Sequence, residues 1–322
     1  MRDHGGNLDA AMARFGGAAG DWIDLSTGIN PRPYPIPDIP ASSWAALPTE
    51  AELAGLREAA ARAYGAACAI APVTGAQAAI QMIPALMPPG EARVLGPTYN
   101  EHAASLRAAG WQVREVARVE ELASADLAVI VNPNNPDGQR HRPDALLALA
   151  EQVGMLVVDE SFADTAPELS VIPHLTGETG RVIALRSFGK FYGLAGLRLG
   201  FALGGARYIA RLKDMAGPWP VSGPAITIGC AALNDTAWQE ATRARLSADA
   251  ARLDALAAAA GWELVGGTPL FRLYETGDAA AAQDRLARVH IWSRTFPYAG
   301  GWLRLGLPDG AAQWARVEAA LA

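Results

Sequence analysis

The sequence predicts an α/β protein: a large domain with a mostly parallel seven-stranded sheet, plus a smaller α+β domain. Three observations carry that expectation. Between residues 70 and 235, short apolar runs alternate with helical stretches, the pattern of βαβ units whose helices cover both faces of a sheet. After about residue 235 the composition shifts to alanine-rich helix and then to short mixed elements. The chain has 322 residues, of which 51% are hydrophobic, enough for about two domains with well-filled cores. The expected division is a large domain over 46–235 and a small one made of 1–45 together with 236–322.

Taken in order, the first 45 residues are rich in glycine and proline, with Pro31, Pro33, Pro35, Pro37 and Pro40 marking an extended path. Proline removes a backbone donor and fixes φ, so this segment is expected as a strap without helix. Residues 50–64 follow as a helix, with Leu53, Leu56, Ala60 and Tyr64 along one face. The strand-like runs are Ile70–Val73, Arg93–Leu95, Val113–Val116, Leu127–Val131, Met155–Val158, Val182–Leu185 and Leu199–Leu203. Beyond them the sequence predicts a helix over 237–260, strands at Trp262–Val265 and Leu270–Tyr274, a second helix, strands at Ile291-Trp292 and Trp302–Leu307, and a terminal helix.

Composition also narrows the function. A net charge of −6 with no basic cluster argues against a nucleic-acid partner. Cys68 and Cys230 have neither metal-ligand spacing nor the density of a disulfide framework, and the five histidines form no short-spaced pair. No metal is expected, and a reducing cytoplasm is. The N-terminus lacks an apolar signal core and no run reaches membrane-spanning length, so a soluble protein without a membrane partner is expected.

Only two of the 27 lysines and arginines are lysines, Lys190 and Lys213. Arginine serves for surface charge but cannot form an imine, because its guanidinium stays protonated. Lys190 closes Ser187-Phe188-Gly189-Lys190 directly after the run Val182–Leu185, and Arg198 opens the next run. Taken alone, Lys190 fits covalent chemistry and a surface position equally well.

Ligands of parallel sheets bind beyond the carboxyl ends of the strands, so the residues that follow strands matter most. After Ile70–Val73, Thr74-Gly75-Ala76-Gln77 opens a helix whose free N–H groups suit a phosphate. Ser187 and Arg198 could add a hydroxyl and a bidentate cation. Asn132-Pro133-Asn134-Asn135-Pro136-Asp137-Gly138 follows Leu127–Val131 and reads as an ordinary turn or as a loop aiming amides at a fixed spot. Asp159 ends Met155–Val158, where it fits a helix cap or the partner of a buried cation that a ligand supplies.

Together these residues resemble the fold-type I pyridoxal-phosphate enzymes of the class I/II aminotransferase superfamily, over nearly the whole chain. The resemblance implies an aminotransferase-like large domain, pyridoxal 5'-phosphate as cofactor and a homodimer. It gives Lys190 the covalent bond to the cofactor and later proton transfers, Asp159 the pyridine nitrogen and Tyr99 a stack on the ring. Asn135 would hydrogen-bond the phenolic oxygen. Gly75, Ala76, Gln77, Ser187 and Arg198 would hold the phosphate. Arg304, alone among apolar neighbours in Trp302-Leu303-Arg304-Leu305, matches the arginine that grips a substrate carboxylate. Two positions depart from the pattern. Phe162 stands where the family often has tyrosine, and Leu47-Pro48 stands about where many members lend a tyrosine across the dimer interface.

The N-terminal motifs His4-Gly5-Gly6-Asn7 and Leu25-Ser26-Thr27-Gly28-Ile29-Asn30-Pro31 resemble the opening of the threonine-phosphate decarboxylases of cobalamin biosynthesis. Those enzymes convert L-threonine O-3-phosphate to (R)-1-aminopropan-2-yl phosphate and CO2. This resemblance implies substrate contacts from His4, Gly5, Gly6, Gly28, Asn135, Arg294 and Arg304, with Arg32 a further candidate for the substrate phosphate. Arg294 is also similar to the side-chain-phosphate arginine of histidinol-phosphate aminotransferases. The expected reaction is therefore decarboxylation of a phosphorylated amino acid. An aminotransferase acting on histidinol phosphate and a non-catalytic homologue are the alternatives.

Overall fold

Each apolar run predicted between residues 70 and 203 forms a strand in the computed structural model, which describes residues 5–176 and 180–322. A short strand, β1 (Ile23–Asp24), comes first. Seven follow: β2 (Ala69–Val73), β3 (Glu91–Leu95), β4 (Gln112–Val116), β5 (Leu127–Val131), β6 (Met155–Asp159), β7 (Val182–Ser187) and β8 (Gly200–Gly204). The later strands are β9 (Glu263–Thr268), β10 (Phe271–Glu275), β11 (Ile291–Trp292), β12 (Arg294–Phe296) and β13 (Ala299–Gly306). The chain divides into two compact units, one of Tyr34–Asn135 with Gln139–Trp238, the other of Met1–Pro33, Pro136–Gly138 and Gln239–Ala322.

The larger unit holds the seven-stranded sheet, in the order β2-β8-β7-β6-β5-β3-β4. β8 pairs antiparallel with both β2 and β7, and the other neighbours pair parallel. Every residue of β5, β6 and β8 is buried, which is why they read as unbroken apolar runs rather than as an alternation. Burying side chains such as Ile130 or Leu156 stabilises the fold by about 1.5–3 kcal/mol each. The direction of β8 follows from its connection. Residues 188–199 are a short link, and a short link returns antiparallel, whereas a parallel neighbour needs a long crossover.

The helix Glu50–Tyr64 forms over the predicted residues. Thr49 and Glu52 make a reciprocal capping box at its start, and Gly65 ends it in the left-handed conformation, φ 62°. Its buried face is Leu53, Leu56, Ala59, Ala60 and Tyr64.

The smaller unit carries an antiparallel sheet, β12-β13-β10-β9, and a two-stranded parallel pair, β1 with β11. Three elements differ from expectation. Leu8–Phe15 and the short Ala41–Ala45 are helices within the segment expected to have none. All the prolines of that segment lie beyond residue 30, so nothing opposes helix over Leu8–Phe15, and Asn7 caps it by accepting from Ala10 N at 3.2 Å. β12 was not expected because three residues are too few to show a period. Among the described residues no helix is long and apolar enough to cross a membrane.

Candidate active site

The polar residues of the larger unit gather at one edge of its sheet. β2 turns through Thr74 and Gly75 into the helix Ala76–Met82, β6 ends on Asp159, and β7 ends on Ser187. Since β8 runs the other way, its beginning meets this edge, which is why Arg198 precedes a strand instead of following one. A cavity of about 150 Å³ opens here. Lys190, Asp159, Asn135 and Tyr99 line it, as do Gly75, Ala76, Gln77, Ser187 and Arg198.

Lys190 sits on the single helical turn Phe188–Phe191 that follows Ser187. Its Nζ lies 5.6 Å from the ring centre of Phe162, an apolar wall where a tyrosine would have offered a hydroxyl. Asn135 and Tyr99 are placed by neighbouring loops that are tied together. Thr98 Oγ1 donates to Asn134 Oδ1 at 2.6 Å, and Asn134 Nδ2 donates to the Pro97 carbonyl at 3.0 Å. Tyr99 donates to Gln77 Oε1 at 3.1 Å, and Gln77 Nε2 donates to Glu101 at 3.0 Å. The Gln77 side chain is thus committed to Tyr99 and Glu101, so any phosphate contact from Gln77 falls to its backbone N–H.

Asp159 shows the strongest local design. Its Oδ1 accepts from Ser161 N at 3.0 Å and from Ser161 Oγ at 2.5 Å, while Oδ2 pairs with His102 Nε2 at 2.8 Å. Burial alone would raise this carboxyl, yet the His102 and Ser161 contacts hold it below the ordinary carboxylate value. Neither His102 nor Ser161 was singled out from the sequence. His102 lies 57 residues from Asp159, and its one sequence signal is its place three residues after Tyr99. The next residue, Glu160, pairs with Arg186 at 3.0 Å, and both side chains are buried. Since Glu160 follows Asp159 and Arg186 precedes Ser187, this pair braces the ends of β6 and β7.

The phosphate-type corner depends on close approach. Gly75 has φ 72°, and a Cβ there would stand 2.8 Å from Arg198 Nη2. Gly200 is closer still, for its Cβ would meet Ala76 N at 2.5 Å. Arg198 adopts the left-handed conformation, φ 56°, at a cost of about 1 kcal/mol or more for a residue with a side chain.

The smaller unit groups a second set of the sequence-predicted residues. Arg294 on β12 and Arg304 on β13 are cross-strand partners in register. Arg304 is 6% exposed. Burial, and then the like charge of Arg294, lowers its pKa to about 10, which leaves it a cation at neutral pH. Arg304 Nη2 donates to the Ser26 carbonyl at 2.7 Å, and Gly6 N donates to Ser26 Oγ at 2.7 Å. Gly5 packs on Ser26 as well, and Gly28 is buried two residues further on. Ser26 is a third residue to which sequence reasoning gave no role, although it lies in the motif singled out over residues 25–31. His4 lies outside the described residues. Arg32 donates from Nε to Asp309 Oδ1 at 2.5 Å, so a carboxylate already answers its charge.

Residues 37–316 match the model of the family "Aminotransferase class I and II". The chain belongs to this family. It is 45% identical to a threonine-phosphate decarboxylase from Sinorhizobium sp, over 99% of this chain and 97% of that one. It is 44% identical to a threonine-phosphate decarboxylase from Pseudomonas aeruginosa, over 100% and 97%. A histidinol-phosphate aminotransferase from Sinorhizobium meliloti, solved in complex with pyridoxal-5'-phosphate, shares the fold with a TM-score of 0.78 at 22% identity, over 97% of this chain and 92% of that one.

As a class I and II aminotransferase relative, the protein uses pyridoxal phosphate, and the cavity fits that group. Asp159, kept ionised by His102 and Ser161, suits a protonated ring nitrogen. The Gly75 turn, Ser187 and Arg198 supply backbone donors, a hydroxyl and a guanidinium for a phosphate. Lys190 lines the same cavity, and its amine is of the kind that an aldehyde would take. The pair of arginines in the smaller unit suits a doubly anionic ligand.

Proposed function

We propose that the protein decarboxylates L-threonine O-3-phosphate, giving (R)-1-aminopropan-2-yl phosphate and CO2, as a step of cobalamin biosynthesis. One observation of the structure carries the substrate class: Arg294 and Arg304 face each other in register, and Arg304 is buried. Two like charges held together are costly, and a ligand with a carboxylate and a phosphate would offset that cost. The likeness to two threonine-phosphate decarboxylases over almost the full chain supports loss of CO2 over transfer of an amino group.

In this reading Arg304 grips the substrate carboxylate, while Gly5, Gly28 and Arg294 take the phosphate, and Gly6, whose N–H donates to Ser26 Oγ, holds the segment in place. Gripping the far end of the substrate fixes which bond at the α-carbon is aligned for cleavage. Pyridoxal phosphate, when bound, accepts the electron pair that departing CO2 leaves behind. Asp159 keeps the ring nitrogen protonated, Asn135 and Tyr99 position the ring, and Lys190 anchors the cofactor and returns a proton to the α-carbon.

A homodimer in the cytoplasm belongs to the same proposal. Trp44, Leu47 and Trp219 expose 69%, 64% and 53% of their surface, which suits burial against a second copy. Cys68 and Cys230 are free thiols, in keeping with a reducing compartment. The deciding experiment is CO2 release from L-threonine O-3-phosphate by the purified holoenzyme with no 2-oxo acid added. Sustained turnover is expected. No CO2, with conversion of the cofactor to its amine form by histidinol phosphate, would make the protein an aminotransferase.

A further inference from the structure

Ser26 is 1% exposed and puts all its polar groups to use. Its N–H and its hydroxyl both donate to Asp24 Oδ1, at 2.9 and 2.6 Å. The same hydroxyl oxygen accepts Gly6 N–H at 2.7 Å, and the carbonyl accepts Arg304 Nη2 at 2.7 Å. Gly5 lies so close that a Cβ there would stand 2.4 Å from the Ser26 carbonyl oxygen, nearer than a side chain tolerates. One buried residue thus touches the Gly5-Gly6 segment through its hydroxyl and the guanidinium of Arg304 through its carbonyl.

We infer that Ser26 is a positioning residue that couples two anion grips, so that a phosphate held at the Gly5-Gly6 segment tightens the hold of Arg304 on a carboxylate. The inference rests on the proposed substrate carrying both anions. Its physical basis is shared order. Donation from Gly6 fixes the Ser26 side chain against Asp24, and this fixes the carbonyl that orients Arg304. A second ligand then meets a grip whose ordering cost has already been met, which is positive coupling, and coupling of this kind is reciprocal. A single buried hydrogen bond supports about a five- to tenfold effect. The consequence for specificity is direct. An amino acid without the phosphate binds the uncoupled Arg304. The product, which has lost its carboxylate, keeps only one grip and is released more readily than the substrate.

The test separates the two anions. Holoenzyme is titrated with L-threonine, followed by the visible absorption of the bound cofactor, with and without inorganic phosphate at constant ionic strength. Inorganic phosphate is expected to tighten L-threonine binding about five- to tenfold in the natural chain. The effect should vanish in Ser26→Ala and in Gly5→Ala, and persist in Ser26→Thr, which keeps the hydroxyl. Gly5 is exposed, so its substitution perturbs the segment without opening the core if Ser26→Ala folds poorly. Phosphate that competes with L-threonine O-3-phosphate, yet leaves L-threonine affinity unchanged, overturns the coupling while the substrate assignment stands. So does a Ser26→Ala variant that keeps the full effect. Phosphate that neither competes with the substrate nor alters L-threonine binding removes the phosphate grip itself, and the substrate assignment falls with it.

Discussion

The larger unit surrounds a buried carboxylate with donors, whereas the smaller unit sets a buried cation beside a second one. Asp159 reaches its place with three donors from His102 and Ser161 already arranged around it, and its neighbour Glu160 is matched by Arg186. Arg304, by contrast, shares its strand register with a second cation, Arg294, and burial together with that like charge lowers its pKa to about 10. On the proposed function, the difference fits the residence time of what each set would hold. A cofactor stays through many turnovers, so its pocket gains from being settled before the cofactor arrives. A substrate must enter and leave, and a site already balanced would give an anion little reason to bind.

That contrast can be broken at four points, taken from the largest expected effect to the smallest. Lys190→Ala should lower turnover by about 10⁴-fold, and borohydride should no longer fix the cofactor to the chain; retained activity would remove the chemistry from the larger unit. Arg304→Lys should lower kcat/KM by about 30- to 1000-fold, the loss of a buried charged contact worth about 2–4 kcal/mol, because an ammonium cannot reproduce the guanidinium fork. A change within threefold would mean that Arg304 serves the fold alone.

Arg294→Ala should raise the KM for L-threonine O-3-phosphate about tenfold while leaving the affinity for unphosphorylated L-threonine unchanged or slightly improved, since a like charge beside Arg304 has gone. Equal weakening of both ligands would show that Arg294 does not distinguish the phosphate. His102→Phe has the smallest effect at neutral pH and a readable one in acid. The folded pKa of Asp159 lies below its unfolded value, so its stabilisation is full above about pH 3.9 and fades as pH falls through the folded value. Removing His102 raises the folded value and should move the acid-unfolding midpoint upward. An unmoved midpoint, followed by circular dichroism, would show that Ser161 alone holds the charge.

Much of the larger unit was legible in the sequence because its signals are local. A buried parallel strand is a short apolar run, and the residue after it stands at the ligand edge, so Gly75, Asn135, Asp159 and Ser187 could be located from spacing. Roles for them came from the family resemblance and not from spacing. His102 and Ser26 were not legible, since each matters only through residues brought to it by the fold, 57 residues away for His102 and 278 for the Ser26 contact with Arg304. The helix Leu8–Phe15 was missed by letting prolines after residue 30 speak for residues well before them.

The contact of Gly75, Arg198 and Gly200 bears on how this protein can change over generations. No side chain fits at Gly200, whose missing Cβ would collide with backbone, and at Gly75 even alanine meets the end of Arg198. Shortening Arg198 would open space at 75 but give up the fork that suits a phosphate. No single substitution thus leads from this corner to another working version of it. Drift should be nearly frozen at these three positions, while the sheet behind them remains free to exchange one aliphatic residue for another.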